Sequence, residues 1–183
     1  MATLNIASPI ETKVIKKLAS GTIVLISGVI YTARDAAHVR LIRTMDNKEQ
    51  LPFDLKGQTL YYMGPSPGKP GQILGSAGPT TSARMDIYTY RLMAAGIRAI
   101  IGKGSRSPGI KEALQKYKAV YLVTTGGVGA LLSKTIKKAE VIAYEDLGAE
   151  AILRLEVENF PAIAANDIYG NDIFEQGKSK YQR

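Results

Sequence analysis

The sequence predicts an α/β fold, a single domain of mixed β-strands with helices on the outside. Short β-branched apolar runs alternate with stretches whose apolar residues recur at helical spacing. Glycine- or proline-rich turns separate the two kinds of segment, as at Gly64–Gly71, Gly102–Pro108 and Thr124–Gly129. A chain of 183 residues, 45% hydrophobic and 22% charged, is large enough for a proper core and ordinary in composition for a globular domain.

In chain order, the run Gly21–Ile30 reads as a strand, and Tyr31–His38 opens a helical pattern that continues through Ile42 and Met45. Thr32 with Asp35 three residues on resembles a capping box with Asp in place of Glu, which puts Arg34 in the first turn. Tyr61–Met63 and Ile73-Leu74 read as short strands on either side of a surface loop, Gly64–Gly71. Gly78–Asp86 is then a strand-to-helix turn, because Met85, Tyr88, Leu92 and Met93 follow at helical spacing. Arg98–Ile101 is a strand, after which Ser107 is an N-cap and Pro108 the first helical position. Ala119–Val123 is a strand leading through Thr124-Thr125-Gly126-Gly127 into a short helix that reaches Leu132. Val141–Tyr144 and Ile152–Phe160 supply later strands, the second alternating in and out until Pro161 interrupts it. Residues 170–183 are polar and expected to be loosely ordered or docked on a partner. There is no internal repeat.

The turn Gly78-Pro79-Thr80-Thr81-Ser82-Ala83-Arg84-Met85-Asp86 is the most informative segment. A helix start directs unpaired N–H groups and the positive end of a dipole outwards, so it is built to receive an anion. Thr81 or Ser82 serves as the N-cap, which leaves the Thr80 hydroxyl without a structural reason. Arg84 opposes the macrodipole, and Arg34 repeats the conflict. A guanidinium that merely snorkels to solvent is the bland explanation; an anion held between guanidinium and helix start resolves the conflict better. Lys103 is a third cation, flanked by Gly102 and Gly104 immediately after a strand. Three strand-to-helix junctions thus each present one cation, where open α/β sheets bind ligands, and one small polyanion would bridge them.

Together, Arg34-Asp35-Ala36-Ala37-His38, Gly78–Asp86, Gly102-Lys103-Gly104 and Thr124-Thr125-Gly126-Gly127 resemble the β subunit of class I, iron–sulfur-dependent fumarate hydratase. The related β subunit of L-tartrate dehydratase is similar. The resemblance runs from about Gly21 to Tyr169, with the motifs in the family's order. It implies a swivelling β/β/α-type domain with a mixed sheet, a choice that the strand and helix pattern leaves open, within one hydro-lyase β domain spanning 1–183. It also implies reversible hydration of fumarate to L-malate, a tricarboxylic acid cycle reaction, in an α2β2 heterotetramer. The α subunit carries the cysteines of a 4Fe–4S cluster in that resemblance, and the β subunit closes over it.

Composition agrees. The chain has no cysteine, which removes disulfides, thiolate catalysis and a Cys-ligated metal centre from it, and its one histidine, His38, makes a self-contained metal site improbable. A cluster would have to belong to another polypeptide. No apolar run approaches the roughly 20 residues that span a bilayer, and Met1–Ser20 lacks the apolar centre of a secretory signal, so a cytoplasmic protein is expected. Lys and Arg outnumber Asp and Glu by 24 to 16, yet no zinc-finger, RRM-like or aromatic-basic signature accompanies them. Solvated helix faces account for most of these cations, and an anionic substrate or acidic partner subunit would use the rest. Gly127-Val128-Gly129 suggests a dinucleotide fingerprint, but Leu132 stands where its third glycine belongs.

A hydratase must hold a dicarboxylate, deliver hydroxide to one alkene carbon and a proton to the other, and stabilise the carboxylate that takes up charge. Arg34, Arg84 and Lys103 suit the binding and stabilising tasks. The resemblance implies Thr80 as the base toward malate, activated by an acidic group of the α subunit, with Thr81 binding substrate and the partner's iron activating water. Lys103 is the alternative base if desolvation lowers its pKa, and His38 a third by chemistry alone, its bland role being capping or packing. From another class comes a non-catalytic anion- or phosphate-binding module, although no Gly-Lys-Ser/Thr P-loop is present. The motifs do not separate fumarate from tartrate.

Overall fold

The computed structural model describes residues 3–182; Met1, Ala2 and Arg183, the ends of the expected span, lie outside the described residues. The strands are β1 (Thr3–Ser8), β2 (Ile23–Thr32), β3 (Thr59–Tyr61), β4 (Ala99–Gly102), β5 (Val120–Val123), β6 (Ile136–Ala143) and β7 (Ile152–Asn166). The helices are α1 (Thr12–Ile15), α2 (Asp35–Asp46), α3 (Asp86–Ala95), α4 (Pro108–Tyr117), α5 (Gly129–Ser133) and α6 (Ile173–Tyr181), with 3₁₀ turns at Ser82–Met85 and Glu145–Glu150. The mixed α/β class expected from sequence is the class observed.

The sheet order is β1-β2-β3-β4-β5-β7-β6, with β2 also pairing with β7. Neighbours from β1 to β5 are parallel, whereas β7 runs antiparallel to β2, β5 and β6. Because the 15-residue β7 pairs with both β2 and β5, strands β2, β3, β4, β5 and β7 close into a barrel, with β1 and β6 added outside it. Closure leaves β1 and β6, each paired on one side only, as the edge strands.

Alternation along each strand divides the apolar residues between two clusters. Tyr61, Ile101, Leu122, Leu155 and Phe160 belong to the first, into which α1 also sends Ile15. Leu60, Tyr62, Ile100 and Tyr121 belong to the second, covered by Leu41 of α2, Leu92 of α3 and Leu114 of α4. Helices α2, α3 and α4 therefore lie on one side of the sheet, against the face turned away from the first cluster, which α1 and Leu132 of α5 pack against.

Several local expectations need correction. Thr32 caps no helix: its Oγ1 accepts from the Leu153 N–H at 3.0 Å, and Arg34 holds the N-cap position of α2 without a side-chain cap bond. Ile73-Leu74 is no strand, since its loop is closed by its own contacts, including Ser76 N–H to Ser66 Oγ at 2.8 Å, and Ile73 is half exposed. Pro161 does not end β7, which continues to Asn166. It faces Leu25 in the interval between the β6 partners, which end at Val157, and the β5 partners, which begin at Ile163. One edge of β7 is open there, a position that tolerates a residue without an N–H. The later strand expected at Val141–Tyr144 is longer, running Ile136–Ala143, and β1 lies in a segment where no strand was expected. The polar tail contains α6, whose N-cap Asp172 accepts from Phe174 N–H at 2.8 Å and whose Ile173 and Phe174 pack on the second cluster.

Candidate active site

The carboxyl ends of β2, β3, β4 and β5 come together at one end of the barrel, and backbone bonds lock the expected motifs onto them. Ala33 N–H donates to Tyr61 O at 3.2 Å, which sets Arg34 beside the end of β3. Beyond Tyr62, the segment Pro79–Ser82 wedges between the ends of β3 and β4. Thr80 N–H donates to Tyr62 O at 2.7 Å, Lys103 N–H to Thr80 O at 3.3 Å and Ser82 N–H to Lys103 O at 3.0 Å. Thr81 and Lys103 form a parallel bridge, and Thr124 N–H joins from β5 by donating to Gly102 O at 3.0 Å. Gly102 permits the wedge: a Cβ there would stand 1.9 Å from Ser82 Oγ.

Thr80, Thr81 and Lys103 are thus adjacent through their backbones. Thr81 precedes the 3₁₀ turn without making a side-chain cap bond, so capping does not consume its hydroxyl. The Lys103 side chain extends toward the Thr124–Gly127 turn, its Nζ 3.8 Å from where a Gly126 Cβ would be.

The two arginines meet through a carboxylate. Arg84 grips Asp35 side-on, Nε to Oδ1 at 3.0 Å and Nη2 to Oδ2 at 2.5 Å. Arg34 Nη2 lies 3.8 Å from Asp35 Oδ2 and 3.6 Å from Glu150 Oε1. Burial alone would raise the Asp35 pKa, but the hydrogen bond and charge of Arg84, with the charge of Arg34, hold it below the ordinary carboxylate value. Glu150 also accepts from Ala36 N–H at 2.7 Å, so the chain's own carboxylate fills the anion position at the start of α2. Arg34 lies flat against Gly64, where a Cβ would come within 2.8 Å of its Cδ and 2.6 Å of Ala149 O. Its Nε is buried without a partner.

Beneath this layer lies a charge that sequence reasoning missed. Arg106 has a fully buried side chain and stacks over Tyr62 and Tyr121, its guanidinium carbon 5.5 and 4.9 Å from the ring centroids. Its Nη2 donates to Thr89 Oγ1 at 2.9 Å. Tyr121 donates to Gly104 O at 2.8 Å and its hydroxyl lies 2.9 Å from Ser82 Oγ, which ties the Lys103 loop to the wedge. Burial pushes the Tyr62 and Tyr121 phenols up, so both remain neutral donors.

His38 is buried and not presented at the mouth. Its Nδ1 donates to Arg34 O at 2.7 Å, and the ring packs edge-on to Tyr62 and against Tyr88. Burial pulls its pKa down to about 4, with Arg34 O and Asp35 pulling the other way and Arg106 adding to the fall. A neutral packing histidine fits these contacts.

Asp35, Glu150, Gly64 and Arg106 escaped sequence reasoning as site residues. Asp35 was visible only as a helix-start acid, and Glu150 sits in a distant 3₁₀ turn with no local signal. An apolar cleft of about 280 Å³, lined by Val123, Thr124, Thr125, Val128, Leu131 and Pro161 among others, flanks the Thr124–Gly127 turn, but no cation lines it. It is not the anion site. With no cysteine in the chain, and no group of three or more His, Asp or Glu placed to hold a metal among the described residues, these residues do not fit an iron–sulfur cluster. No helix among the described residues is long and apolar enough to cross a membrane.

A family model described as the fumarase C-terminus matches residues 1–177. A Methanocaldococcus jannaschii protein provisionally named as an L(+)-tartrate dehydratase subunit beta is 41% identical over 174 residues, which cover 92% of this chain and 89% of the relative. The Escherichia coli L(+)-tartrate dehydratase subunit beta is 29% identical over 96% of this chain and 89% of its own length. The aerobic class I fumarate hydratase of Escherichia coli is 43% identical over 153 residues, 82% of this chain but 28% of the enzyme. The chain therefore spans nearly the whole of the first two relatives and under a third of the last.

Proposed function

This chain belongs to the fumarase C-terminus family, whose named relatives here are hydro-lyases, and we propose that it is the β subunit of a hydro-lyase that reversibly hydrates fumarate to L-malate. The observation that carries this reading is the shared layer at the barrel's end. Thr80, Thr81 and Lys103 are bonded into it by their backbones, and Arg34 and Arg84 meet beside it at Asp35. A dicarboxylate needs two cationic anchors a few ångströms apart, and a phosphate at a single helix start does not. The start of α2 is in any case already taken by Glu150.

In the proposal, Arg34, Arg84 and Lys103 hold the two carboxylates, and the carboxylate next to the breaking C–H bond gains charge that these cations stabilise. Each charge-assisted hydrogen bond contributes roughly 1.5–3 kcal/mol. Thr80 moves the proton at C3 and Thr81 orients the substrate. A threonine hydroxyl is a weak base alone, so Thr80 depends on a group that the partner supplies. The iron–sulfur cluster that the resemblance implies finds no ligands here and is assigned to an α subunit, this chain acting as one β domain in an α2β2 assembly in the cytoplasm.

A second reading, an L-tartrate dehydratase β subunit, is supported by the relatives so named, which this chain matches over 89% of their own length. Assaying the complex of this chain with its α subunit, anaerobically, on L-malate and on L-tartrate decides between them. Turnover of malate supports the first reading, turnover of L-tartrate alone replaces it with the second, and turnover of neither by a cluster-loaded complex overturns both.

A further inference from the structure

We infer that Asp35 is a positioning residue that aims Arg84 and Arg34 at a substrate carboxylate. The inference rests on the proposed hydro-lyase reading of the same site and adds a residue to it. Asp35 opens α2 at the β2 junction, whereas Arg84 lies in the 3₁₀ turn that follows the wedge, so their contact joins side chains of two loops whose backbones are each bonded to the end of β3, through Ala33 N–H to Tyr61 O and Thr80 N–H to Tyr62 O. A guanidinium carries five N–H donors. Side-on pairing through Nε and one Nη2 hydrogen consumes two and leaves the end-on fork, formed by Nη1 and the other Nη2 hydrogen, unused. That fork is the edge that matches a second carboxylate bidentately. Asp35 therefore does not compete with substrate for Arg84, but turns the free edge outward.

Two further observations separate this role from a helix-start acid. The neighbouring Ala36 N–H is already satisfied by Glu150, so α2 does not depend on Asp35 for that bond. Arg84 is 52% exposed in its side chain, so without the clamp a long flexible cation would lose its orientation to solvent. The same Asp35 Oδ2 lies 3.8 Å from Arg34 Nη2, and Glu150 restrains Arg34 from the other side. One carboxylate thus sets the spacing of both arginines.

The test uses Asp35→Asn, which keeps the shape but removes the charge, and Asp35→Glu, which keeps the charge and displaces it by one methylene. In the α-subunit complex, Asp35→Asn is expected to raise KM for malate by about 10-fold or more while changing kcat less, as expected when the binding fork is misaligned. In this full chain, the Arg84 Nε–H resonance, assigned with Arg84→Lys, is expected to move to the position of a free arginine in Asp35→Asn and to stay displaced in Asp35→Glu. A wild-type complex inactive on malate and on L-tartrate refutes the hydro-lyase reading, while the resonance still decides whether Asp35 holds Arg84. An active wild type whose Asp35→Asn variant keeps KM within about twofold overturns the inference, whatever the resonance does. Should Asp35→Asn fail to fold, an Asp35→Glu complex with unaltered KM but a lost resonance overturns it as well.

Discussion

Arg106, with its side chain wholly enclosed, donates from Nε to Asp86 Oδ1 at 2.8 Å, and the other Asp86 oxygen accepts from Ser107 N–H at 2.9 Å. Asp86 opens α3 and Arg106 leads into α4, so this buried pair joins the helices that carry Arg84 and Lys103 at their entrances.

Asp86→Ala should destabilise the chain by about 3–5 kcal/mol, because it leaves an uncompensated cation in the core. For a chain of this length that is a fall in Tm of roughly 10 °C, read by a thermal melt. A variant melting within about 2 °C of wild type would show that Arg106 finds other compensation.

Arg34→Ala and Arg84→Ala should each lower kcat/KM of the complex by about 100-fold or more, near 2.7 kcal/mol of transition-state stabilisation, with the fold intact. Circular dichroism checks the second half of that statement. Arg84→Lys should rescue little, since an ammonium cannot meet Asp35 and a ligand carboxylate with two separate edges. Unaltered kinetics in either alanine variant would return that arginine to the role of a solvated surface residue.

Thr80→Val keeps side-chain shape and should abolish exchange of malate's C3 proton with solvent, followed by NMR in deuterium oxide, while substrate still binds. Thr81→Val should instead raise KM more than it lowers kcat, because a group used equally in ground and transition states affects binding. If Thr80→Val retains exchange and Lys103→Met loses it, the base is Lys103, which the wedge holds next to Thr80.

His38 should make stability pH-dependent above the range in which carboxylates titrate. Unfolded, it gains a proton near pH 6.5; buried, it resists until about 4. The folded state binds fewer protons in that window, so stability is whole above pH 6.5 and falls as pH drops toward 4. The loss is about 3 kcal/mol at roughly 1.4 kcal/mol per pH unit. Urea titrations at pH 7 and 4.5 measure it, and His38→Gln should shrink the difference between them by roughly 2–3 kcal/mol. Asp35, whose pKa is lowered, adds its own loss only below its ordinary value of 3.8.

The strand-to-helix junctions were legible in the residues themselves. β-branched runs ending before helical spacing locate Arg34 and Lys103 without reference to any distant segment, whereas Thr80, Thr81 and Arg84 follow no strand directly and enter α3 through the 3₁₀ turn Ser82–Met85. Ser107 takes the N-cap position of α4, without a side-chain cap bond, and Pro108 opens the helix as the local rule for proline requires. At the start of α2, where the local capping rule failed, distant contacts had replaced it. Thr32 looked like a cap and is instead bonded to Leu153, while the N–H at Ala36 is filled by Glu150.

What the sequence by itself determined is therefore the kind of chemistry available: which cations and hydroxyls stand at helix starts, and that no cysteine accompanies them. Periodicity and turn residues suffice for that, because they act over a few residues. Tertiary structure alone decided how those groups are aimed. Closure of the barrel by β7 across Pro161, the clamp of Asp35 on Arg84 and the burial of Arg106 between Tyr62 and Tyr121 all join residues far apart in the chain. Such contacts depend on strand register and packing, which no short window of sequence contains.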